Sequence, residues 1–376
     1  MDQSFADVSQ MLRELRPVQP VYCIYPRRYR QSTEFFVKGF PGRVLYAVKA
    51  NDHPEVIRLL YESGVRHFDC ASLPEVARVG DLFPDATCYF MVPVRLRGAA
   101  AAAQEKYGVR HFVVDHLDGL GSLAGEIDMP ASVIFARMAV HHESAVMNLS
   151  AKFGAPPQTI PSLIDAIAAT GAEPALAFNV GSSVKHPDAY RYAIGVAADV
   201  MRQLPVRLRL VDIGGGFAMP YPGFPVPPIG DYLAAVAEAK KELPLADGGE
   251  ILCEPGRALA APGLTAVVEV LMRKDDRLFI NDGMYGIFWE LRCGGHESFP
   301  GRVFRDGQPL TGPQRSFRLY GPTCDNIDVL PGAVDLPGDI RAGDYIEFSG
   351  IGAYSLSGRT DFNGHLSETI VTIEGS

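Results

Sequence analysis

The sequence predicts an α/β fold in which a (β/α)8 barrel is followed by a second, mostly β domain. From residue 44 to residue 253, short apolar runs of strand character alternate with longer amphipathic runs, which is the pattern of repeated βα units. Beyond Pro262 the helical patterns fade, and short β-rich pieces separated by Gly and Pro replace them. A chain of 376 residues is long enough for a barrel and a smaller domain.

The candidate strands of the barrel number eight, and they occur at residues 44–48, 67–71, 88–92, 111–114, 133–138, 174–180, 208–213 and 250–253. The helical patterns between them carry apolar residues at spacings of three and four, as helices packed on a sheet require. These patterns cover residues 53–63, 73–82, 98–107, 117–127, 160–170, 187–204 and 232–243. Eight parallel strands, each followed by a helix, close into a TIM-like barrel.

The C-terminal part has the short strand patterns of a β domain, at residues 264–272, 277–281, 316–320, 344–348 and 368–374. Residues 21–25 also have strand character before the barrel begins. We therefore expect an N-terminal segment (1–27) that joins the sheet of the β domain, a barrel (28–262) and a β-rich C-terminal domain (263–376).

Composition and charge exclude several classes of protein. With 47% hydrophobic and 21% charged residues the chain resembles a soluble globular protein, and no apolar run reaches the ~18 residues of a membrane span. Residues 1–20 lack the apolar core of a signal peptide, so we expect a cytoplasmic protein. The net charge of −9 argues against nucleic acid as a partner. The six cysteines form no CxxC pair and the histidines no HExxH motif, so we expect reduced thiols and no metal.

The ends of the barrel strands carry residues with a common chemistry. Lys49 follows an apolar strand, where desolvation would favour a neutral, nucleophilic amine, although snorkelling is the commoner fate of such a lysine. Gly214 to Gly216 could form either a phosphate cradle or a tight turn. Arg257 could contact a phosphate or form an ordinary ion pair. Glu254 is suited to holding a ring nitrogen. Together on one barrel mouth, these groups point to pyridoxal phosphate.

A set of short motifs occurs along the chain in this order: Tyr46-Ala47-Val48-Lys49-Ala50-Asn51, Phe68-Asp69-Cys70-Ala71-Ser72, Val211-Asp212-Ile213-Gly214-Gly215-Gly216-Phe217, Glu254-Pro255-Gly256-Arg257, Gly321-Pro322-Thr323-Cys324-Asp325, Gly352-Ala353-Tyr354 and Phe362-Asn363-Gly364. With these motifs in the same order as in the family, the chain resembles the fold-type III pyridoxal-phosphate decarboxylases of ornithine, lysine, arginine and diaminopimelate, most of all the ornithine branch. The resemblance covers roughly residues 20 to 370.

The resemblance implies a role for each matching residue. Lys49 would bind the cofactor aldehyde, Glu254 would hold the pyridine nitrogen, and Cys324, entering from a partner subunit, would return a proton to the carbanion left by decarboxylation. Asp325 would contact the far end of the substrate. The implied enzyme is a homodimer with shared sites, active in polyamine biosynthesis. The remaining cofactor contacts would come from Ser182, Gly214, Gly215, Gly216, Arg257 and Tyr354.

Two positions depart from the family pattern. Asn179 stands where the family has a histidine stacked on the cofactor ring, and Gly294 stands where ornithine enzymes have a second substrate aspartate. Arg292 and Arg359 are candidates for meeting a substrate carboxylate instead, with a solvated surface arginine as the alternative for each.

The expected function is α-decarboxylation of a basic L-amino acid of the ornithine, lysine or arginine type. One alternative is a substrate with a distal carboxylate, such as diaminopimelate or glutamate. A racemase or a non-catalytic relative on the same barrel is a further alternative. The Gly-Pro-Thr-Cys-Asp segment argues against the racemase, and the retained Lys49, Glu254, Arg257 and Cys324 argue against the non-catalytic relative.

Overall fold

The computed structural model describes residues 3–375, and its helices and strands alternate through the first two thirds of the chain. The strands are β1 (Ser4–Phe5), β2 (Val21–Ile24), β3 (Arg43–Ala47), β4 (His67–Cys70), β5 (Thr87–Phe90), β6 (His111–Val114), β7 (Val133–Met138), β8 (Ala145–Met147), β9 (Glu173–Phe178), β10 (Ser182–Val184), β11 (Leu210–Asp212), β12 (Glu250–Cys253), β13 (Leu264–Lys274), β14 (Arg277–Ile280), β15 (Gly301–Arg305), β16 (Gln308–Leu310), β17 (Gln314–Tyr320), β18 (Val329–Pro337), β19 (Tyr345–Ser349) and β20 (Ile370–Ile373).

The α-helices lie mainly between the strands of the first domain. They are α1 (Val8–Leu15), α2 (Pro26–Gly39), α3 (Pro54–Glu62), α4 (Leu73–Leu82), α5 (Ala99–Tyr107), α6 (Leu117–Ala124), α7 (Ile160–Ala169), α8 (Asp188–Met201), α9 (Ile229–Ala239) and α10 (Arg257–Ala260). Several begin as their sequences indicate: Pro54 opens α3 at a position where a missing N–H costs nothing, and the Ser72 hydroxyl accepts a hydrogen bond from the Glu75 N–H at the start of α4. No described helix is long and apolar enough to cross a membrane.

Eight parallel strands close the barrel in the order β3, β4, β5, β6, β7, β9, β11 and β12, and β12 pairs with β3. This confirms the predicted barrel, whose eight strands all fall within or across the predicted ranges. Side chains alternate between the barrel interior and the helix layer. On β3, for example, Leu45 packs inside the barrel, whereas Val44 and Tyr46 belong to the larger core beneath the helices.

The second domain is a curved, mostly β unit built around the long strand β13. This strand pairs with β2 and β19 on its two sides and continues to β14, β17 and β18. The N-terminal strand β2 also pairs with the C-terminal strand β20, so both ends of the chain lie in this sheet. This confirms the predicted β-rich second domain.

The structure contains elements that the sequence patterns did not reveal. Helix α2 precedes the first barrel strand and buries only Tyr29, Thr33 and Phe36, so its apolar face is too sparse to stand out in the sequence. After β7 the chain forms a short strand, β8, which pairs antiparallel with β10. The paired residues Met147 and Ser182 are 35 residues apart in the sequence. No local pattern of hydrophobic residues therefore predicts this pairing.

Candidate active site

A pocket opens at the carboxyl ends of the barrel strands, which is where sites lie in barrels of this kind. It encloses about 420 Å³ of empty space, part of it open to solvent. Its lining includes most of the predicted cofactor residues in one place: Lys49, Leu149, Asn179, Gly181, Ser182, Ser183, Gly215, Gly216, Phe217, Glu254, Gly256, Arg257 and Tyr354.

The alternation of the barrel strands explains why charged groups meet there. Glu254 directly follows β12, two residues after the interior residue Leu252, whereas Lys49 lies in a short 3-10 turn (Val48–Ala50) that follows β3. Counting in steps of two from Leu210 and Phe135 leads to Asp212 and Arg137. Charged side chains at or just past the carboxyl ends of these four strands therefore meet at the barrel mouth.

Lys49 is paired with Asp69. The Lys49 Nζ donates a hydrogen bond to Asp69 Oδ2 at 2.7 Å, although 45% of the lysine side chain remains exposed in the open pocket. Burial alone would lower the pKa of Lys49, but the carboxylates of Asp69 and Glu254 outweigh it and raise this pKa above its ordinary value. The expectation of a neutral amine is therefore wrong for the cofactor-free protein, because the sequence argument counted desolvation and omitted the facing carboxylates.

Glu254 and Asp212 lie next to each other at the base of the pocket. Burial raises the pKa of Asp212 to about 7, even though its Oδ1 accepts a hydrogen bond from the Gly214 N–H at 2.8 Å. Burial also raises the pKa of Glu254, and the neighbouring Asp69 and Asp212 raise it further. Asp69 Oδ1 and Asp212 Oδ2 are buried without a hydrogen-bond partner among the described residues. The site is therefore rich in acid and suited to a group that brings positive charge.

The glycine run after β11 leaves no space for side chains. A Cβ on Gly215 would lie 2.5 Å from the Glu254 carbonyl oxygen, and one on Gly216 would lie 2.5 Å from the Gly181 carbonyl oxygen. Gly214 and Gly216 also adopt φ values of +69° and +96°. No backbone hydrogen bond from the N–H of Gly215 or Gly216 occurs within residues 3–375. This is the open backbone cradle that an anion such as phosphate requires.

The loop after β9 forms the facing wall of the cradle. Asn179 accepts a hydrogen bond from the Gly181 N–H at 3.0 Å, so its amide shapes the loop as well as lining the pocket. Ser182 is half-buried, as a pocket residue should be. Ser183 also lines the pocket, and the sequence reasoning missed it. The signal that was available is its place directly after Ser182 in a loop already assigned to the cofactor.

Arg257 lies between the pocket and a buried acid. Its guanidinium is 6% exposed and donates a hydrogen bond to the fully buried Glu290, which the sequence reasoning did not identify. The aromatic ring of Tyr354 lies 5.4 Å from the guanidinium, and Tyr354 adopts a φ of +57°. The ion pair given as the alternative for Arg257 does exist, but it is buried, and the same arginine lines the pocket.

Comparisons with known proteins identify the family. Residues 26–261 match the model of the pyridoxal binding domain of pyridoxal-dependent decarboxylases. The lysine/ornithine decarboxylase of Selenomonas ruminantium is 31% identical over 359 residues, which cover 92% of this chain and 87% of that protein.

The chain belongs to the pyridoxal-dependent decarboxylases.

Solved structures agree with this assignment. The lysine/ornithine decarboxylase of Vibrio vulnificus, complexed with putrescine, superimposes with a TM-score of 0.83 at 28% identity, over 98% of this chain and 97% of that one. The arginine decarboxylase of Paramecium bursaria Chlorella virus gives a TM-score of 0.85 at 25% identity, over 97% of this chain and 98% of that one.

The pocket of this decarboxylase fits pyridoxal phosphate on its own chemistry. The glycine cradle and Arg257 suit a dianionic phosphate, and Lys49 supplies an amine for the aldehyde. The unpartnered carboxylate oxygens and the raised pKa values of Asp212 and Glu254 suit a protonated ring nitrogen, which would supply the missing positive charge.

Cys324 and Asp325 lie on the second domain and do not line the cofactor pocket of their own chain. The exposed Cys324 thiol lies 3.6 Å from Asn363 Oδ1, to which it donates. Tyr285 donates a hydrogen bond to Asp325, and this bond lowers the pKa of the Asp325 carboxyl, so the group stays ionised at neutral pH. The ring of Phe362 stacks on Tyr285 at 4.3 Å. These residues form one surface on the second domain, separate from the lining of the pocket.

The two predicted arginines lie in different surroundings. Arg292 is exposed and close enough to Asp325 to contribute to its lowered pKa. The Arg359 guanidinium donates to the Ser367 carbonyl and lies 5.2 Å from the Tyr22 ring, so it is held by the second domain and does not line the pocket. Nothing in its contacts supports the predicted substrate role for Arg359.

Gly294 is required by its neighbours. A Cβ at this position would lie 2.6 Å from His296 Cε1 and 2.9 Å from Glu290 Oε1. The buried His296 ring, stacked on Tyr221 at 3.8 Å, and the Glu290 carboxylate therefore occupy the space that a side chain at position 294 would need. The second aspartate of the ornithine enzymes cannot be accommodated here without moving both residues.

Proposed function

We propose that this protein catalyses the pyridoxal-phosphate-dependent α-decarboxylation of a basic L-amino acid to the amine and carbon dioxide. The observation that carries the proposal is the single pocket in which Lys49, Glu254, Arg257 and the glycine cradle meet. The relatives support it, since their names include lysine, ornithine and arginine decarboxylases. When bound, pyridoxal phosphate supplies the electron sink that lets the bond to the α-carboxylate break.

The residues of this chain divide the remaining work. Lys49 supplies the amine that attaches the cofactor, and Asp69 holds that amine in place at 2.7 Å. Glu254, with Asp212 behind it, holds a proton at the base of the pocket, because the pKa values of both carboxyl groups are raised. Cys324 carries the proton that the α-carbon needs after carbon dioxide leaves.

The proposal includes a homodimer whose sites are shared. Cys324 and Asp325 lie on an exposed surface, whereas the pocket that they would serve is lined by other residues of the same chain. A second copy that presents this surface to the pocket would complete the site.

Hybrid dimers test the sharing. Lys49→Ala and Cys324→Ala should each be nearly inactive alone. After subunit exchange in an equal mixture, half of the dimers are hybrids with one native site of two, so about a quarter of wild-type activity should return. If exchange is demonstrated by a mass-tagged subunit and no activity returns, each chain uses its own Cys324 and the shared site is wrong.

The proposed substrate is basic because Asp325 is ionised and half-buried, which suits a distal ammonium. A panel of ornithine, lysine, arginine, diaminopimelate and glutamate tests this, with carbon dioxide and amine measured for each. We expect turnover of at least one of the first three. Asp325→Asn should raise the KM for that substrate more than it lowers kcat, because the distal contact is made in the ground state as well.

A substrate with a distal carboxylate is the second candidate, and Arg292 is the observation that favours it. Its positive charge beside Asp325 would attract a carboxylate and repel an ammonium. Arg292→Ala separates the two candidates. The variant should keep or improve the KM for a basic substrate, whereas loss of activity in this variant, with turnover confined to diaminopimelate or glutamate, would show that the basic assignment is wrong.

A further inference from the structure

Ser183 combines two features that are unfavourable in the cofactor-free protein. Its φ is +51°, in the left-handed region that residues with a Cβ rarely adopt. Its side chain is 2% exposed, and its hydroxyl has no hydrogen-bond partner among the described residues. A buried hydroxyl without a partner normally acquires one, from protein, water or ligand.

The position of Ser183 suggests which ligand that is. It lines the pocket at the end where the glycine cradle lies, and the next residue, Val184, donates its N–H to the Gly216 carbonyl at 3.0 Å. Tyr354, which also has a positive φ, lines the same pocket. Two residues with left-handed backbone in the lining of one pocket indicate a local conformation that is maintained for binding.

We propose that the Ser183 hydroxyl is a further ligand of the cofactor phosphate, in addition to the residues that the family resemblance implies. The inference rests on the use of this pocket for pyridoxal phosphate. A phosphate oxygen is a strong acceptor and would give the hydroxyl the partner that it lacks. The left-handed conformation at position 183 is then the backbone geometry that keeps the hydroxyl at the cradle.

Two variants separate the hydroxyl from the backbone. Ser183→Ala removes the hydroxyl and keeps the Cβ in its left-handed conformation. Ser183→Gly removes the hydroxyl and also relieves the backbone, because glycine adopts positive φ freely. If the hydroxyl binds phosphate, both variants lose cofactor affinity to a similar degree.

The experiment compares two probes, pyridoxal phosphate and pyridoxal, which lacks the phosphate. The cofactor is removed from the purified protein by dialysis against hydroxylamine, and each probe is titrated back while visible absorbance is recorded. A hydrogen bond to a charged group corresponds to roughly a 10- to 100-fold change in Kd. We expect this loss for pyridoxal phosphate in both variants and less than a twofold change for pyridoxal.

Three results would overturn the inference: unchanged affinity for pyridoxal phosphate in both variants, an equal loss for both probes, or a loss in Ser183→Gly alone. Circular dichroism and thermal midpoints of both variants check that the cofactor-free proteins are folded. Because titration does not depend on turnover, a wrong substrate assignment leaves the result intact.

Discussion

Asp69 and Glu254 act on the pocket lysine, Lys49, and a third carboxyl group, that of Asp212, neighbours both of them, with Arg137 as a further nearby cation. Burial raises the pKa values of Asp212 and Glu254. A bound cationic ring nitrogen would remove this conflict. We therefore propose that the acid-rich base of the pocket binds the cofactor ring, while the glycines and Arg257 bind its phosphate.

Asp212→Asn tests this account in the cofactor-free protein. The pKa of Asp212 is raised from 3.8 to about 7, so ionisation of this buried carboxyl group destabilises the folded protein. This loss of stability is absent below about pH 4 and complete above about pH 7. The asparagine variant should gain stability over the wild type as pH rises through this window, by at most about 4 kcal/mol at pH 8. Thermal unfolding at pH 5 and pH 8 measures it.

The exposed Asp199 on helix α8 provides the control for this prediction. Its side chain is 76% exposed, so Asp199→Asn should change stability little at either pH. An Asp212→Asn protein that is equally destabilised at pH 5 and pH 8 would contradict the raised pKa, because loss of packing alone has no such pH dependence.

At the scale of elements, two loops decide the site: residues 179–184 after β9 and residues 213–217 after β11. They touch through the Val184 N–H and the Gly216 carbonyl, and the second loop also accepts the Tyr190 hydroxyl on Gly215 at 2.7 Å. A Cβ added to any glycine of the second loop would lie within 3 Å of backbone atoms from another segment. The loops therefore act as one close-packed wall, which a single methyl group would disturb.

Gly215→Ala is the direct test of this close packing. Its Cβ would lie 2.5 Å from the Glu254 carbonyl oxygen, so the backbone that carries Glu254 must move. We expect a stability loss of about 1 to 3 kcal/mol and at least a tenfold weaker affinity for pyridoxal phosphate. Urea unfolding and cofactor titration measure the two effects.

Gly195→Ala provides a matched control within helix α8. A Cβ there meets nothing within 4 Å, and alanine favours the helix by about 1 kcal/mol over glycine. This variant should be as stable as the wild type or more stable, with unchanged cofactor affinity. If Gly215→Ala behaves like Gly195→Ala, the loops are not close-packed as described.

The elements that the sequence predicted are those with a strong local period. The barrel strands are buried on both faces and read as apolar runs such as β9, and α7 and α8 bury continuous apolar faces. Helix α2 was not predicted because few of its residues are buried, and the pairing of β8 with β10 was not predicted because it is non-local.

Motifs located Lys49, Glu254 and Gly214 to Gly216, but contacts between distant segments, such as Arg257 with Glu290, carry no sequence signal.

In the whole molecule, the N-terminal strand β2 and the C-terminal strand β20 both lie in the sheet of the second domain. The same domain carries the surface that contains Cys324 and Asp325. The barrel supplies the cofactor pocket, and the second domain supplies the residues proposed for proton return and substrate recognition. In a dimer that exchanges these surfaces, neither domain is a complete site alone. We propose this dimer as the active form, in which the amine at the barrel mouth of one chain and the thiol of the other complete each site.

Chemical trapping of the cofactor tests whether Lys49 is the residue that attaches pyridoxal phosphate. The purified protein is incubated with pyridoxal phosphate and reduced with borohydride, and its peptides are mapped by mass spectrometry. We predict that the reduced cofactor is found on Lys49 and that Lys49→Ala loses both this label and the visible absorbance band. A label on another lysine, or a visible band that persists unchanged in Lys49→Ala, would contradict the account.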